Sequence, residues 1–172
     1  MKLLDILKAD LDYKKQVFAD DGASISTPRL FVIDGTGANI LFRLSHACAA
    51  TKWLKPIALI LQTLNRWFNG CVIGVNASFG DGLVLMHPIG VVINSKVRGG
   101  KNIVIESGVV IGDEKGRSPV LGNNLFIGAG AKIIGDVTIG DNVKIGANAV
   151  VVKDLPDNCT ALGIPAKPRI IE

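Results

Sequence analysis

The sequence predicts a mainly β fold, a parallel β-helix preceded by an α-helical segment, and two observations carry that prediction. The first is a period of six residues that runs almost without error from Leu121 to Leu155. Leu121, Ile127, Ile133, Ile139, Ile145 and Val151 open successive hexads, and Gly122, Gly128, Gly140 and Gly146 directly follow four of them. Four places after each opener stands Leu125, Ala131, Val137, Val143, Ala149 or Leu155. The second is a change of composition near residue 70: seventeen of twenty glycines lie at or after Gly70, and seven of nine aromatics lie before it.

A six-residue frame suits neither common element. A helix sets apolar residues three and four apart, and a half-buried strand sets them at every second position. A fixed period of six marks a parallel β-helix, in which short flat strands alternate with tight turns and each opening aliphatic points inward. Glycine beside it permits the positive φ of a sharp turn. A single coil cannot bury its apolar edge, so neighbouring coils must stack.

The elements follow in chain order. Met1 to Phe18 has apolar residues at 3, 4, 6, 7 and 11 and no Gly or Pro, which predicts a helix. Residues 20–37 hold Gly22, Pro28, Gly35 and Gly37 and read as a connector with one short strand at Leu30 to Ile33. A second helix is expected from Ala38 to Thr51 and a third from Pro56, a good first-turn residue, to Phe68. The third, PIALILQTLNRWF, is flanked by Lys52 and Lys55 and carries Arg66, which suits a membrane-surface helix. Packing on its neighbours or on a partner subunit is the preferred reading, since long apolar helices are usually core. Residues 1–69 thus form a helical segment, 70–156 the β-helix, and 157–172 a C-terminal tail.

Composition narrows the setting. A chain of 172 residues, 48% apolar and 20% charged, suits a soluble globule. Cys48, Cys71 and Cys159 are odd in number and form no Cys-x-x-Cys pair, which suits a reducing cytoplasm and argues against disulfides or a thiolate zinc site. Asp5, Asp10 and Asp12 interrupt the apolar core that a signal peptide needs, and no apolar run reaches membrane-span length. The net charge of +4 is too weak and dispersed for a nucleic-acid site.

The coils begin at Ile73. Ile73 with Ala77, Phe79 with Leu83, and Leu85 with Ile89 share one frame, which then slips. Ile93 with Val97 and Ile105 with Val109 fit if two extra residues sit around Pro88 to Val92 and four more leave the coil between Gly112 and Pro119. An alternative keeps the first phase through Val91, Val97, Ile103 and Val109 and replaces one hexad by a loop. Either way two irregularities interrupt a rigid scaffold, and such loops commonly carry chemistry.

At the first irregularity stands His87, the only histidine of the coils, in LMHPIGVVIN; at the second lies the polar loop GDEKGRSP, Gly112 to Pro119. On these residues the chain resembles the hexapeptide-repeat acyltransferases and, within them, the serine acetyltransferase group. That family has a catalytic His, a small loop and Gly-Val-Val-Ile, matched here by His87 and Gly90 to Ile93. The resemblance runs from about Ile40, with Phe42 to His46 on the second helix, and is strong in IGAGAKIIGDVTIGDNVKIGANAVVVKDLPDN and GIPAKP. It implies a left-handed β-helix, acetyl-CoA as donor, and a homotrimer with active sites in the grooves between subunits. A neutral imidazole at His87 would take the acceptor's proton as its oxygen attacks the thioester, with no acyl-enzyme. His46, on an apolar helix, reads as structural. A zinc site of three histidines is argued against by a chain that has two.

Departures from the family pattern guide the acceptor prediction. The carboxylate expected fifteen residues before the His falls on Val72, the Asp just before it is Met86, and the second His, after Arg117, is Ser118. A backbone carbonyl, Asp113 or Glu114 is therefore expected to orient His87. The lost groups would meet a zwitterion, so the chain looks more like the family branch that acetylates surface polysaccharides. A sugar hydroxyl is the expected acceptor, with serine as the alternative and a non-catalytic trimeric scaffold as the second. By family position Gly112, Ala129 and Ala147 would line the pantetheine slot, and Lys153, Lys167 and Arg169 would serve the phosphates of coenzyme A. The three prolines Pro156, Pro165 and Pro168 are expected to stiffen the tail as a loop leaving the coils.

Overall fold

The computed structural model describes residues 2–170; Met1 at the start of the first predicted helix and residues 171–172 of the tail lie outside the described residues. Among the described residues four helices come first: α1 (Leu3–Asp20), α2 (Thr27–Val32), α3 (Thr36–Ala49) and α4 (Lys55–Asn69), the last preceded by a short 3-10 turn at Lys52–Leu54. The expected strand at Leu30 to Ile33 is instead part of α2. Pro28 sits in its first turn, where the missing N–H costs nothing, and Leu30 is buried. Gly70, at φ 64°, ends α4 in the left-handed conformation that lets the chain turn into the coils.

Fifteen strands follow among the described residues: β1 (Val72–Ile73), β2 (Ser78–Phe79), β3 (Leu83–Leu85), β4 (Val92–Ile93), β5 (Arg98–Gly99), β6 (Ile103–Ile105), β7 (Val110–Gly112) and β8 (Val120–Leu121). Then come β9 (Leu125–Ile127), β10 (Lys132–Ile134), β11 (Thr138–Ile139), β12 (Lys144–Ile145), β13 (Val150–Val151), β14 (Cys159–Leu162) and β15 (Lys167–Ile170). They build a left-handed parallel β-helix of triangular section. The first face is β1-β4-β7-β10-β13, the second β2-β5-β8-β11, and the third β3-β6-β9-β12-β14, with β15 antiparallel to β14. The tail is thus a last strand of the third face and a hairpin back along it, where a loop was expected. Its four backbone partners, Cys159 to Leu162, pair with Lys167 to Ile170 and extend the sheet edge.

The register settles how the hexads slip. Ile73, Ile93, Ile111, Ile133 and Val151 pair in line on the first face, at intervals of 20, 18, 22 and 18 residues. Two extra residues therefore lie before β4 and four between β7 and β8, as the first of the two framings requires. The inward column of the third face is Leu85, Ile105, Ile127, Ile145 and Ala161. On the second face Gly99 stands where an aliphatic is due, because the Phe79 ring of the coil before occupies its volume. Full burial of each such Ile or Leu stabilises by roughly 1.5–3 kcal/mol. Phe42 of α3 closes the open end of the coils, its ring edge-on to Phe79 at 5.9 Å.

The corners are as regular as the faces. Between the second and third faces Asn102, Asn124, Asn142 and Asn158 all have φ near 55–57°, and each of the first three passes an amide hydrogen bond of 2.9–3.0 Å to the next. Asparagine tolerates this left-handed conformation better than other residues with a Cβ. The other two corners carry the irregularities. His87 lies where the third face turns into the first, here the histidine edge; residues 113–119 lie where the first turns into the second, the loop edge.

Helix α4 packs on α3 through Ala58 and Asn65 and reaches the first face through Gln62, whose Nε2 donates to the Ile73 carbonyl at 2.8 Å. Its other side, with Trp53 in the turn before it, exposes Ile57, Ile60, Trp67 and Phe68. The expectation of burial against its own neighbours holds for only one side of the helix. No helix among the described residues is long and apolar enough to cross a membrane.

Candidate active site

His87 sits in a left-handed backbone conformation, φ 51°, two residues past the end of β3. A side chain there is uncommon and concentrates at functional sites, although His tolerates it better than most. The turn throws the imidazole outward: its side chain is 66% exposed and lies beside Asp34 rather than inside the coils. Nδ1 of His87 is 3.0 Å from Oδ2 of Asp34. With the Nδ1 proton donated to the carboxylate, Nε2 carries the free lone pair that a general base needs. Asp34 thus sets a carboxylate against the imidazole where Val72 offers none. The expected partners, a backbone carbonyl, Asp113 or Glu114, are not those of the described structure, because both acids lie on the loop edge, across the first face.

The helical segment delivers Asp34 by a close approach. Gly35, at φ 84°, lies against the end of β3 so tightly that a Cβ there would collide with the Leu85 carbonyl. Lys14 of α1 pins the two parts together. Its buried Nζ donates to the carbonyl of Asp34 at 2.6 Å, to Thr36 Oγ1 at 3.1 Å and to the carbonyl of Leu85 at 3.4 Å. Burial lowers the Lys14 pKa to about 8 despite the opposing pull of Asp34. One ammonium thereby holds the backbone of Asp34 and a carbonyl two residues from His87.

A second polar cluster seats the same helices on the coils. Asp10 accepts hydrogen bonds from Arg43 Nε at 2.8 Å and Nη2 at 2.9 Å, from Asn39 at 2.9 Å and from the Leu83 backbone N–H at 2.9 Å. Arg43 also donates to the carbonyls of Phe79 and Gly80. His46 is half-buried with Nδ1 3.1 Å from the Val75 carbonyl, in keeping with a structural role. Glu106 sits at the next coil's turn on the histidine edge. Burial raises its pKa, partly opposed by the nearby His87 and reinforced by Asp21.

A cleft of about 400 Å³ opens beside the base, lined by Phe18, Ile25, Arg29, Ile33, Asp34, Met86 and His87 among others. Arg29, Asp34 and Lys14 carried no signal in the repeat pattern. Asp34 and Gly35 stand together in a connector, a pairing that also marks an ordinary turn. The remaining candidates divide between two edges. Ala129 and Ala147 follow β9 and β12 at the turns into the first face, so they stack with His87 on the histidine edge. Gly112 ends β7 at the opposite side of that face, followed on the loop edge by Asp113, Glu114, Arg117 and Ser118. Arg117 is held there at 2.8 Å by Asp136, and Ser118 Oγ donates to Asn94 Oδ1 at 3.3 Å. Lys153 also follows the first face, while Lys167 and Arg169 are exposed on β15. Among the described residues no group of three or more His, Cys, Asp or Glu side chains is placed to hold a metal ion.

Comparison with known proteins identifies the family. Residues 118–153 match the bacterial transferase hexapeptide model of six repeats. A serine acetyltransferase of Helicobacter pylori (strain J99) is 39% identical over 164 residues, 92% of this chain and 95% of that protein. The Neisseria gonorrhoeae serine acetyltransferase in complex with serine superposes with a TM-score of 0.86 at 34% identity, over 97% of this chain and 69% of that one. A serine acetyltransferase in complex with CoA superposes with a TM-score of 0.88 at 29% identity, again over 97% and 69%. These relatives overturn the expected placement in the polysaccharide-acetylating branch and the sugar acceptor that came with it. That expectation rested on missing side chains, and a carboxylate from a different part of the chain, Asp34, lies against His87. The chain belongs to the serine acetyltransferase-like family of hexapeptide-repeat, acetyl-CoA-dependent acyltransferases.

Proposed function

We propose that this chain transfers the acetyl group of acetyl-CoA to the hydroxyl of serine, with His87 as general base and Asp34 as the group that orients it. The observation that carries the reading is the Asp34–His87 pair at 3.0 Å beside an open cleft. Nε2 takes the hydroxyl proton while the serine oxygen attacks the thioester carbonyl. The carbon–sulfur bond then breaks, and the imidazolium returns the proton to the departing thiolate. Asp34 holds the ring in one tautomer and stabilises the transient positive charge, the role of the acid in other His-acid pairs.

The working form in this reading is a homotrimer. Outward from the first face, Val72, Val92, Val110 and Val150 form a column interrupted only by Lys132. The Lys132 ammonium is turned away to the carbonyls of Gly108 and Gly130. The corresponding column of the second face is Ser78, Arg98, Val120 and Thr138. Beside the first face, Trp53, Ile57, Ile60, Leu64 and Trp67 recur at spacings of four and three, the pattern of a helix seam. A cyclic assembly about this face sets the histidine edge of one chain against the loop edge of the next. Ala129 and Ala147 from one chain and Gly112 from its neighbour then line a single slot for pantetheine. Asp113, Glu114, Arg117 and Ser118 border the acceptor end, and Lys153, Lys167 and Arg169 meet the phosphates.

The test is release of free thiol from acetyl-CoA by the purified protein with L-serine. Turnover that requires serine supports the reading; acetyl-CoA left intact with serine present overturns it. Light scattering should return three times the 18.1 kDa chain mass, and a monomer contradicts the trimer.

A further inference from the structure

Within the serine reading, on which this inference rests, we infer that Asn94 is a positioning residue: it fastens the loop of residues 113–118 so that Arg117 stands at the acceptor end before any substrate arrives. Asn94 lies one residue past β4 and in line with Gly112 of the next coil, since Ile93 pairs with Ile111. Its side-chain amide closes the loop at both stems. Nδ2 donates to Asp113 Oδ1 at 2.9 Å where the chain leaves the coil, and Oδ1 accepts from Ser118 Oγ at 3.3 Å where it returns. The same Oδ1 accepts from the Lys96 backbone N–H at 2.8 Å, which fixes the orientation of the amide.

The rest of the loop is held from the coils on either side. Lys96 Nζ donates to the Gly116 carbonyl at 2.9 Å, and Glu114 and Arg117 exchange backbone hydrogen bonds of 2.9 and 3.0 Å. Asp136 of the following coil holds the Arg117 guanidinium at 2.8 Å, and arginine has donors to spare after one such bond. A free loop would sample many conformations, and an acceptor that binds one of them would lose affinity by the fraction of time the loop spends elsewhere. Asn94 is the fastening that spans both stems, so its loss releases entry and exit together. Losing Lys96 Nζ frees the tip and leaves the stems closed.

The experiment compares the full chain with Asn94→Ala, Lys96→Met, Asn94→Asp, and Asn94→Asp combined with Asp113→Asn, in two assays. The first needs no substrate: trypsin cleavage after Lys115 and Arg117, followed by mass spectrometry, at a rate that tracks the opened fraction of the loop. That rate should rise about three- to tenfold for Asn94→Ala, the span of one or two exposed hydrogen bonds, and less for Lys96→Met. Asn94→Asp sets two carboxylates together and should open the loop at least as far. Adding Asp113→Asn gives the pair a donor again and should return the rate to that of the unaltered protein. The second assay is steady-state kinetics. For the single variants the KM for L-serine should rise in step with the trypsin rate while kcat changes less than about twofold, because the closed loop is as competent as before once serine is bound. A fall in kcat with an unchanged serine KM, or a trypsin rate that the paired substitution fails to restore, overturns the inference. No turnover of serine by the unaltered protein is a different result: it overturns the proposed function and the acceptor role of the loop, while a restored trypsin rate still supports the fastening.

Discussion

In the coils residues that point inward have counterparts one turn above or below, so each coil repeats nearly the same solution: aliphatic on aliphatic except where Gly99 meets Phe79, backbone on backbone, asparagine on asparagine at one corner. The helical segment has no such repetition. It is seated by a few buried polar groups, above all Asp10 with Arg43 and Lys14 with three oxygen acceptors. A solenoid held by many equal contacts should lose stability gradually as they are removed. A segment held by a handful of unequal ones should come away at a single point. The candidate site lies across that boundary, with the base from the coils and its orienting acid from the helices.

The largest expected effect is on the polar seat. Arg43→Met leaves the buried Asp10 carboxylate without its cation, which should cost about 3–5 kcal/mol. Both tryptophans, Trp53 and Trp67, belong to the helical segment. In urea titrations their fluorescence should therefore change before the far-ultraviolet signal of the sheets, whereas coincident transitions would mean the two parts unfold as one. Ile127→Ala probes the coils. A cavity at this fully buried position should cost about 2–5 kcal/mol and leave the two transitions no further apart than in the unaltered protein.

Smaller effects test the boundary itself. Asp34→Asn should lower kcat by about tenfold to thousandfold, less than the roughly 10²- to 10⁴-fold contribution of a whole general base, because an amide no longer fixes the tautomer or the charge of His87. Its melting temperature should move by no more than about 2 °C, since Asp34 and His87 are largely exposed. A large fall in stability with unchanged kcat would make Asp34 structural. The smallest effect concerns Lys14. Its pKa in the folded chain, about 8, lies below the ordinary 10.5, so between those values the unfolded chain binds more protons than the folded one. Stability relative to Lys14→Met should therefore rise as pH climbs from about 8 to 10.5. A flat or falling difference across that window contradicts the burial of an ammonium there.

The contrast between the two parts also explains what the sequence made legible. Coils repeat, so the hexads and the existence of two irregularities, with His87 at the first, are readable from spacing, while the choice between the two framings takes the strand register. Even the missing aliphatic at Gly99 is understandable once Phe79 is seen to fill its place. The helical segment is solved once, and its key residues are separated by distances that no period links. Lys14, Asp34 and His87 lie 20 and 53 positions apart. Asp34 beside Gly35 reads as a turn, and a lysine in an amphipathic helix reads as solvated. Missing carboxylates at Val72 and Met86 therefore point, on the sequence alone, to a change of substrate, whereas the structure sets Asp34 against the imidazole of His87. The short α2 escapes the pattern for a related reason: six residues around a proline carry too little periodicity to separate a turn of helix from a strand.

A double-mutant cycle on kcat/KM for serine probes the pairing of coil and helical segment most directly, with Asp34→Ala made alone, His87→Ala made alone, and both together. If Asp34 acts only through the imidazole, its replacement should cost about tenfold to thousandfold in the unaltered protein and nothing further once His87 is gone. Losses that multiply would contradict the pair and return the two residues to separate roles.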